Sequence, residues 1–112
     1  MKNKDNLIYL KLMVGAIDKI NMFIEKMDFD SFSLDIKTQS AVLMQLQIIG
    51  ELTKRVPADM LSGIDLPWKN IKGLRDIVSH DYFSLDIKMI WQTIIGSIPD
   101  AKVKIEKYLI EN

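Results

Sequence analysis

Apolar residues in this chain recur three and four apart in one segment after another, and nowhere alternate with period two over the length of a strand. Each such segment presents one apolar helical face. The first covers Asn6 to Met27, with Leu10, Met13, Ile17, Ile20, Ile24 and Met27 in register. DFDSFS then interrupts it with short polar side chains suited to turns and caps. A second helix is expected from Leu34 to Val56, carrying Ile36, Leu43, Leu46, Ile49 and Leu52, and Pro57 ends it. PADMLSGIDLPW reads as a loop with one irregular turn, crossing the end of a bundle. Pro67 fits the first turn of a third helix, where its missing N–H leaves nothing unpaired. Its buried stripe is Trp68, Ile71, Leu74 and Val78, and it frays near His80 or Asp81. A fourth helix from Leu85 uses Ile87, Ile90, Trp91, Ile94 and Ile98 and stops at Pro99; a last one spans Asp100 to Leu109. The expectation is an all-α, up-and-down four-helix bundle with a short extra C-terminal helix, one domain over residues 1–112.

The chain is large enough for one core and too small for two domains: 112 residues, 48% of them hydrophobic. No apolar run approaches the ~18 uncharged residues of a membrane span. Lys11, Asp18 and Lys19 break up the N-terminal apolar stretch before a secretory pattern can form. The absence of cysteine excludes a disulfide-stapled fold and a thiolate metal site, and fits a reducing cytoplasm. Fifteen basic residues balance fifteen acidic ones, so no global field draws the chain to a polyanion, and any phosphate chemistry must be local. Arg55 and Arg75 are the only arginines and His80 the only histidine, which makes their positions informative.

The hexapeptide FSLDIK occurs twice, at Phe32–Lys37 and Phe83–Lys88. In both copies a serine, Ser33 or Ser84, is placed to cap a helix, with Asp35 or Asp86 in its first turn and Phe32 or Phe83 packing back as a staple. Beyond the hexapeptide the copies lose register, so this is a helix-start device used twice and not an internal duplication. Upstream of the second copy the sequence RDIVSHDY is chemically richer.

Within those eight residues lie Arg75, Asp76, His80 and Tyr82. Asp76 and His80, four apart, can meet on one helical face, where the carboxylate would hold the imidazole and raise its pKa. Arg75 and His80, five apart, diverge by about 140° on a straight helix. They cooperate only where the helix ends at His80 or where a second chain completes the site. Histidine moves protons near neutral pH, and a guanidinium binds phosphate oxygens through paired donors. RNA phosphodiester cleavage uses both: a base takes the 2′-OH proton, that oxygen attacks the adjacent phosphate, and Arg75 stabilises the developing charge without a metal. One histidine per chain hardly serves as base and acid together; a homodimer presents two.

The stretch RDIVSHDY, with IIGELTKRVP before it and PWKNIKGLRDIVSHDYFSLDIKMIWQTI around it, resembles the HepT-like toxins of the HEPN superfamily, whose signature is Arg, four residues, His, any residue, Tyr. The resemblance covers about the last two thirds of the chain, and helix 1 only in general character. It implies a HEPN-like helical bundle that dimerises, a metal-independent ribonuclease requiring no cofactor, and an antitoxin partner of the MNT nucleotidyltransferase type that adds AMP to the motif tyrosine. By position, Arg75 and His80 become catalytic, Asp76 supports them, Glu51 is a neighbour of the site, and Tyr82 is the AMPylation site. Ser79 stands where an aliphatic residue is common.

Plainer roles compete for the same residues. A lone histidine near a helix end serves as a cap or surface group, Arg75 as an exposed partner of Asp76 or Asp81, and Tyr82 as packing with a wet hydroxyl. Asp28, Asp30 and Asp35 lack calcium-loop spacing and read as turn and cap residues. Trp68 and Trp91 fall on apolar stripes and read as core, while Lys54, Arg55, Lys69 and Lys72 read as a solvated face or a modest basic rim. The rival function is a non-catalytic module presenting nucleotide or substrate to a nucleotidyltransferase partner.

Overall fold

Helical periodicity produces helices throughout the computed structural model, which describes residues 4–80 and 86–112, with side chains for 5–76 and 86–112. A single 3-10 turn, Lys4–Asn6, leads into α1 (Leu7–Phe23). Its inward positions Leu10, Met13, Ile17 and Ile20 are buried, while Ile24 and Met27 pack on the core from beyond the helix end. The helix stops short of the expected Met27 because Lys26 adopts a left-handed backbone, φ 65°, that turns the chain.

DFDSFS is not simply a turn. It folds as a short helix, α2 (Phe29–Ser33), held by a reciprocal capping box in which the Asp28 carboxylate accepts from the Ser31 N–H and the Ser31 hydroxyl accepts from the Asp28 N–H. The apolar gain comes from Phe32, fully buried, whose ring lies 5.1 Å from that of Trp91 at a tilt of 37°. Asp28 titrates below its ordinary value chiefly because of the Ser31 N–H.

The expected serine cap is also displaced. Ser33 belongs to α2, and α3 (Ile36–Arg55) is capped by Asp35, which accepts from the N–H and the hydroxyl of Thr38. The Thr38 N–H is the main reason the Asp35 carboxyl is held below its usual range. Asp86 does the same for α6 (Ile87–Gln92), accepting from the Lys88 and Met89 N–H groups. A carboxylate one residue before the helix outcompetes a hydroxyl three before it, because it meets the free N–H groups directly and carries the favoured charge. The expected roles of Ser84 and Phe83 lie outside the described residues. Because the chain is still leaving α2, Leu34 and Ile36 are exposed rather than part of the apolar side.

Val56 and Pro57 end α3, and the following stretch contains one helical turn, α4 (Ala58–Leu61), that buries Met60 and Leu61. The indole N–H of Trp68 donates to the carbonyls of Leu61 and Ile64, at 2.8 and 3.0 Å, fastening this connection to the start of α5 (Trp68–His80). Pro67 sits just before α5, its carbonyl accepting from the Ile71 N–H.

Pro99 does not end a helix. After α6 the chain makes one π turn, Thr93–Ser97, and passes directly into α7 (Ile98–Glu111) with Pro99 in its first turn. The wider turn relieves the clash between a proline ring and the carbonyl four residues earlier. Ile90, Ile94, Ile98, Ala101, Ile105 and Tyr108 are buried along this continuous run.

α3 is the central helix, packed on α1 at one side and on α5 at the other, and α7 closes against α1. The result is the expected all-α bundle. Its one buried polar side chain among the described residues, Thr53, is satisfied by donating to the Ile49 carbonyl at 2.8 Å.

Candidate active site

Gly50 marks a tight approach of α3 and α5. A Cβ built there would lie 2.8 Å from the Arg75 backbone nitrogen, 3.0 Å from its Cβ and 3.3 Å from the Ile71 carbonyl oxygen. Only a hydrogen fits, so Gly50 lets the two helix backbones approach and fixes Arg75 beside the next residue of α3, Glu51. The Arg75 Nε is 2.7 Å from Glu51 Oε1, and Nη1 is 3.4 Å from Asp76 Oδ1. The first contact is an ion pair without hydrogen-bond alignment, since the buried Nε–H has no aligned acceptor. Lys54, one turn along α3, stands 3.8 Å from Asp76 and offsets part of that carboxylate's charge.

Among the described residues, no acceptor engages Arg75 Nη2. Two carboxylates orient the guanidinium while, among the described residues, nothing meets its Nη2 edge, and the side chain is 38% exposed. Such a group can receive a phosphate oxygen without first breaking an aligned bond. Because the ion pairs themselves are partly exposed, their value is positional more than energetic.

The expected site residues divide accordingly. Glu51, Arg75 and Asp76 are brought together, 24 residues of sequence separating the first two. α5 remains helical through His80, so positions 75 and 80 lie about 140° apart around its axis. The His80 side chain, the expected Asp76–His80 contact and Tyr82 lie outside the described residues. Arg75 does pair with Asp76, as its plainer role required, but its shorter contact is to Glu51. Lys54, which sequence reasoning left as a rim or solvated-face residue, touches the site through Asp76; Arg55 and Lys69 are exposed.

Other features do not offer comparable chemistry. Asp28 and Asp35 act as caps, and no metal-holding cluster occurs among the described residues. A core cavity of about 370 Å³, bounded by Met13, Leu46, Ile71, Leu74, Ile90 and Ile105 among others, includes neither Arg75 nor Glu51. Its mainly apolar wall does not suit a phosphate. Trp68 and Trp91 pack against the core. Among the described residues, no helix is long and apolar enough to cross a membrane.

Comparison with known proteins gives the chain a family. The profile of the family described as "Ribonuclease HepT-like" matches residues 13–108, which includes α3, α5 and every residue of the candidate site. A Thermococcus cleftensis protein named "Probable ribonuclease HepT" is 38% identical over 100 residues, covering 88% of this chain and 91% of that one. "Putative RNase MJ0127" of Methanocaldococcus jannaschii is 34% identical over 110 residues, 97% of this chain and 91% of its own. "Putative RNase TTE0752" of Caldanaerobacter subterraneus is 32% identical over 102 residues, 90% and 91% of the two chains. No solved structure gives a significant match. With the profile spanning nearly the whole bundle, the chain belongs to the HepT-like ribonuclease family.

Proposed function

We propose that this protein is an endoribonuclease toxin acting in the cytoplasm, with Arg75 and His80 as its catalytic residues. The observation that carries the proposal is Arg75 held at the α3–α5 contact by Glu51 and Asp76, its Nη2 met by no acceptor among the described residues, five positions before His80 on the same helix. Family membership supports the choice of RNA as substrate.

In the proposed reaction, neutral His80 accepts the 2′-OH proton and the 2′-oxygen forms a bond to the adjacent phosphorus. The bond from phosphorus to the 5′-oxygen breaks, and that oxygen takes a proton as it leaves. The products are a 2′,3′-cyclic phosphate and a 5′-OH. Arg75 stabilises the charge on the phosphoryl oxygens, a contribution typically worth about 2.7–4 kcal/mol for one well-placed donor. No metal enters these steps. The second proton transfer, and the angle between positions 75 and 80, both favour a site completed by a second copy.

Tyr82, two residues beyond His80, is the proposed AMPylation site of a nucleotidyltransferase antitoxin of the MNT type. A nucleotide there would add negative charge and bulk beside the catalytic pair and exclude RNA. Incubating purified protein with RNA in EDTA tests the proposal: wild type cleaves, and Arg75→Ala and His80→Ala each lose at least a hundredfold. Equal cleavage by His80→Ala would remove the catalytic assignment. No cleavage by wild type, with nucleotide binding retained in His80→Ala, would favour the binding-module role instead.

A further inference from the structure

Basic residues gather beside the candidate site although the chain as a whole carries no net charge. Along α5, Lys69, Lys72 and Arg75 follow one another at intervals of three, and no acidic residue stands between Trp68 and Arg75. On a helix that spacing makes a stripe advancing about 4.5 Å and turning about 60° at each step. Lys69 is exposed and Lys72 half-buried, and neither forms an ion pair among the described residues. The last turn of α3 adds Lys54, whose Nζ approaches the same Asp76 oxygen as Arg75 Nη1. Sharing that atom at 3.8 and 3.4 Å keeps the two cations within about 7 Å of each other, a span that neighbouring phosphates of one strand can bridge.

Lys54 is only loosely committed to Asp76. Its contact is long and both side chains are well exposed, so the pair contributes little and yields readily to a stronger anion. We propose that Lys54 binds the phosphate next to the one cleaved, and that Lys72 and Lys69 continue the contact along α5. A single RNA strand would then lie over α5 with Arg75 at one end of the track. The inference rests on the ribonuclease reading put forward above and names residues that seat its substrate.

A polyanionic strand explains these lysines better than helix stability does. At the C-terminal turn of α3 a cation is favoured by the helix dipole, which accounts for Lys54 and Arg55. Lys69 lies in the first turn of α5, where the dipole disfavours a cation and no acidic residue compensates it. The carboxylates nearby, Glu51 and Asp76, are each met by a cation, so little negative charge remains to repel a phosphate. Lysines on α7 offer no such run: Lys102 and Lys104 pair with Asp18 and Asp100, and Lys107 follows Glu106 and precedes Glu111 by one turn. Ammonium groups bind phosphates as point charges without reading bases, so the track supplies affinity and not sequence preference.

Fluorescence anisotropy of a short, fully 2′-O-methylated RNA gives the test, because that strand presents the phosphates but lacks the 2′-OH that attacks. Each lysine that neutralises a phosphate of a single strand contributes about 0.7 to the slope of log Kd against log salt. Lys54→Gln should therefore lower the slope by about 0.7 and weaken binding about fivefold at about 0.1 M salt. Lys54→Gln with Lys72→Gln should lower it by about 1.4, whereas Lys54→Arg and, on α7, Lys107→Gln should leave it unchanged. In cleavage of unmodified RNA, Lys54→Gln should raise KM by the same factor. A slope unchanged in the Gln variants, an equal drop in Lys107→Gln, poly-glutamate bound as tightly as RNA, or no RNA binding by wild type would overturn the track. A lower turnover number in Lys54→Gln with the slope kept would mean that Lys54 acts only through Asp76, and would overturn it too. RNA cleavage by wild type with a slope indifferent to these lysines would remove the track while leaving the ribonuclease function standing. A lysine-dependent slope in a wild type that cleaves no RNA would do the reverse.

Discussion

Gly50→Ala separates two opposed effects. In the interior of α3, alanine is favoured over glycine by about 0.8–1 kcal/mol on helix propensity alone. The added Cβ would meet the Arg75 nitrogen at 2.8 Å, its Cβ at 3.0 Å and the Ile71 carbonyl oxygen at 3.3 Å. Ordinary carbon contacts are about 3.5–4.0 Å. Two of these three atoms are backbone, so no side-chain rotation relieves them, and α3 and α5 must separate by about half an ångström or more. Overpacking of this kind costs about 1–3 kcal/mol, which outweighs the propensity gain in most of its range. We expect a net loss of about 0.5–2 kcal/mol. In a domain of this size that lowers the melting temperature by roughly 2–16 °C, at about 4–8 °C per kcal/mol.

Gly73→Ala on α5 is the control, since its Cβ meets nothing within 4 Å among the described residues. It should raise the melting temperature. Thermal unfolding followed by circular dichroism at 222 nm reads both. If Gly50→Ala stabilises as Gly73→Ala does, the helices are not in contact there and the positioning of Arg75 through Gly50 is wrong. If the contact is as described, Gly50→Ala should also reduce RNA cleavage more than its fraction unfolded explains, because Arg75 moves with α5 relative to Glu51.

Glu51→Gln removes the charge beside Arg75 while keeping the side chain's shape. With the two side chains 43% and 38% exposed, stability should change by less than about 1 kcal/mol. The turnover number should fall several-fold and more than KM changes, as expected when the guanidinium loses its orientation; an unchanged turnover number would remove Glu51 from a positioning role. Trp68→Phe deletes the N–H donated to Leu61 and Ile64, and chemical denaturation should show a loss of about 1–2 kcal/mol; no loss would mean that the α4 connection is not held by the indole. Asp28 and Asp35 both have carboxyls lowered from 3.8, so their stabilisation is fully present above about pH 3.8 and is lost as pH falls through the lower folded values. Asp35→Asn keeps a capping acceptor without the charge. It should reduce the acid dependence of the melting temperature, and an unaltered dependence would refute the cap's electrostatic part.

The sequence revealed the helices wherever apolar residues kept a long register, as in α1 and α3, and concealed them where the register was short. In α2, five residues supply few periodic positions, and the polar letters around Phe29 and Phe32 resemble a turn; the usable signal was Asp28 and Ser31 at capping-box spacing. Pro99 reads as a stop because proline removes an N–H, yet a π turn before it lets the helix continue, a local widening that no spacing rule marks. The caps moved from serine to aspartate because both residue types cap helices and only the backbone path decides between them. At the site, Arg75 and Asp76 stood out as candidates in RDIVSHDY, but the distance from Glu51 to Arg75 was not legible. That distance depends on two helices meeting, and its one sequence trace was Gly50, a mid-helix glycine next to a glutamate.

The ends of the cleaved RNA test the central claim most directly. Wild-type protein, incubated with a 3′-fluorescent and a 5′-fluorescent copy of one RNA in EDTA, should leave 2′,3′-cyclic phosphate on the upstream fragment and 5′-OH on the downstream one. His80→Ala should leave neither above background. A 5′-phosphate product, or cyclic-phosphate ends formed equally by His80→Ala, would contradict attack by the 2′-oxygen through the Arg75–His80 pair.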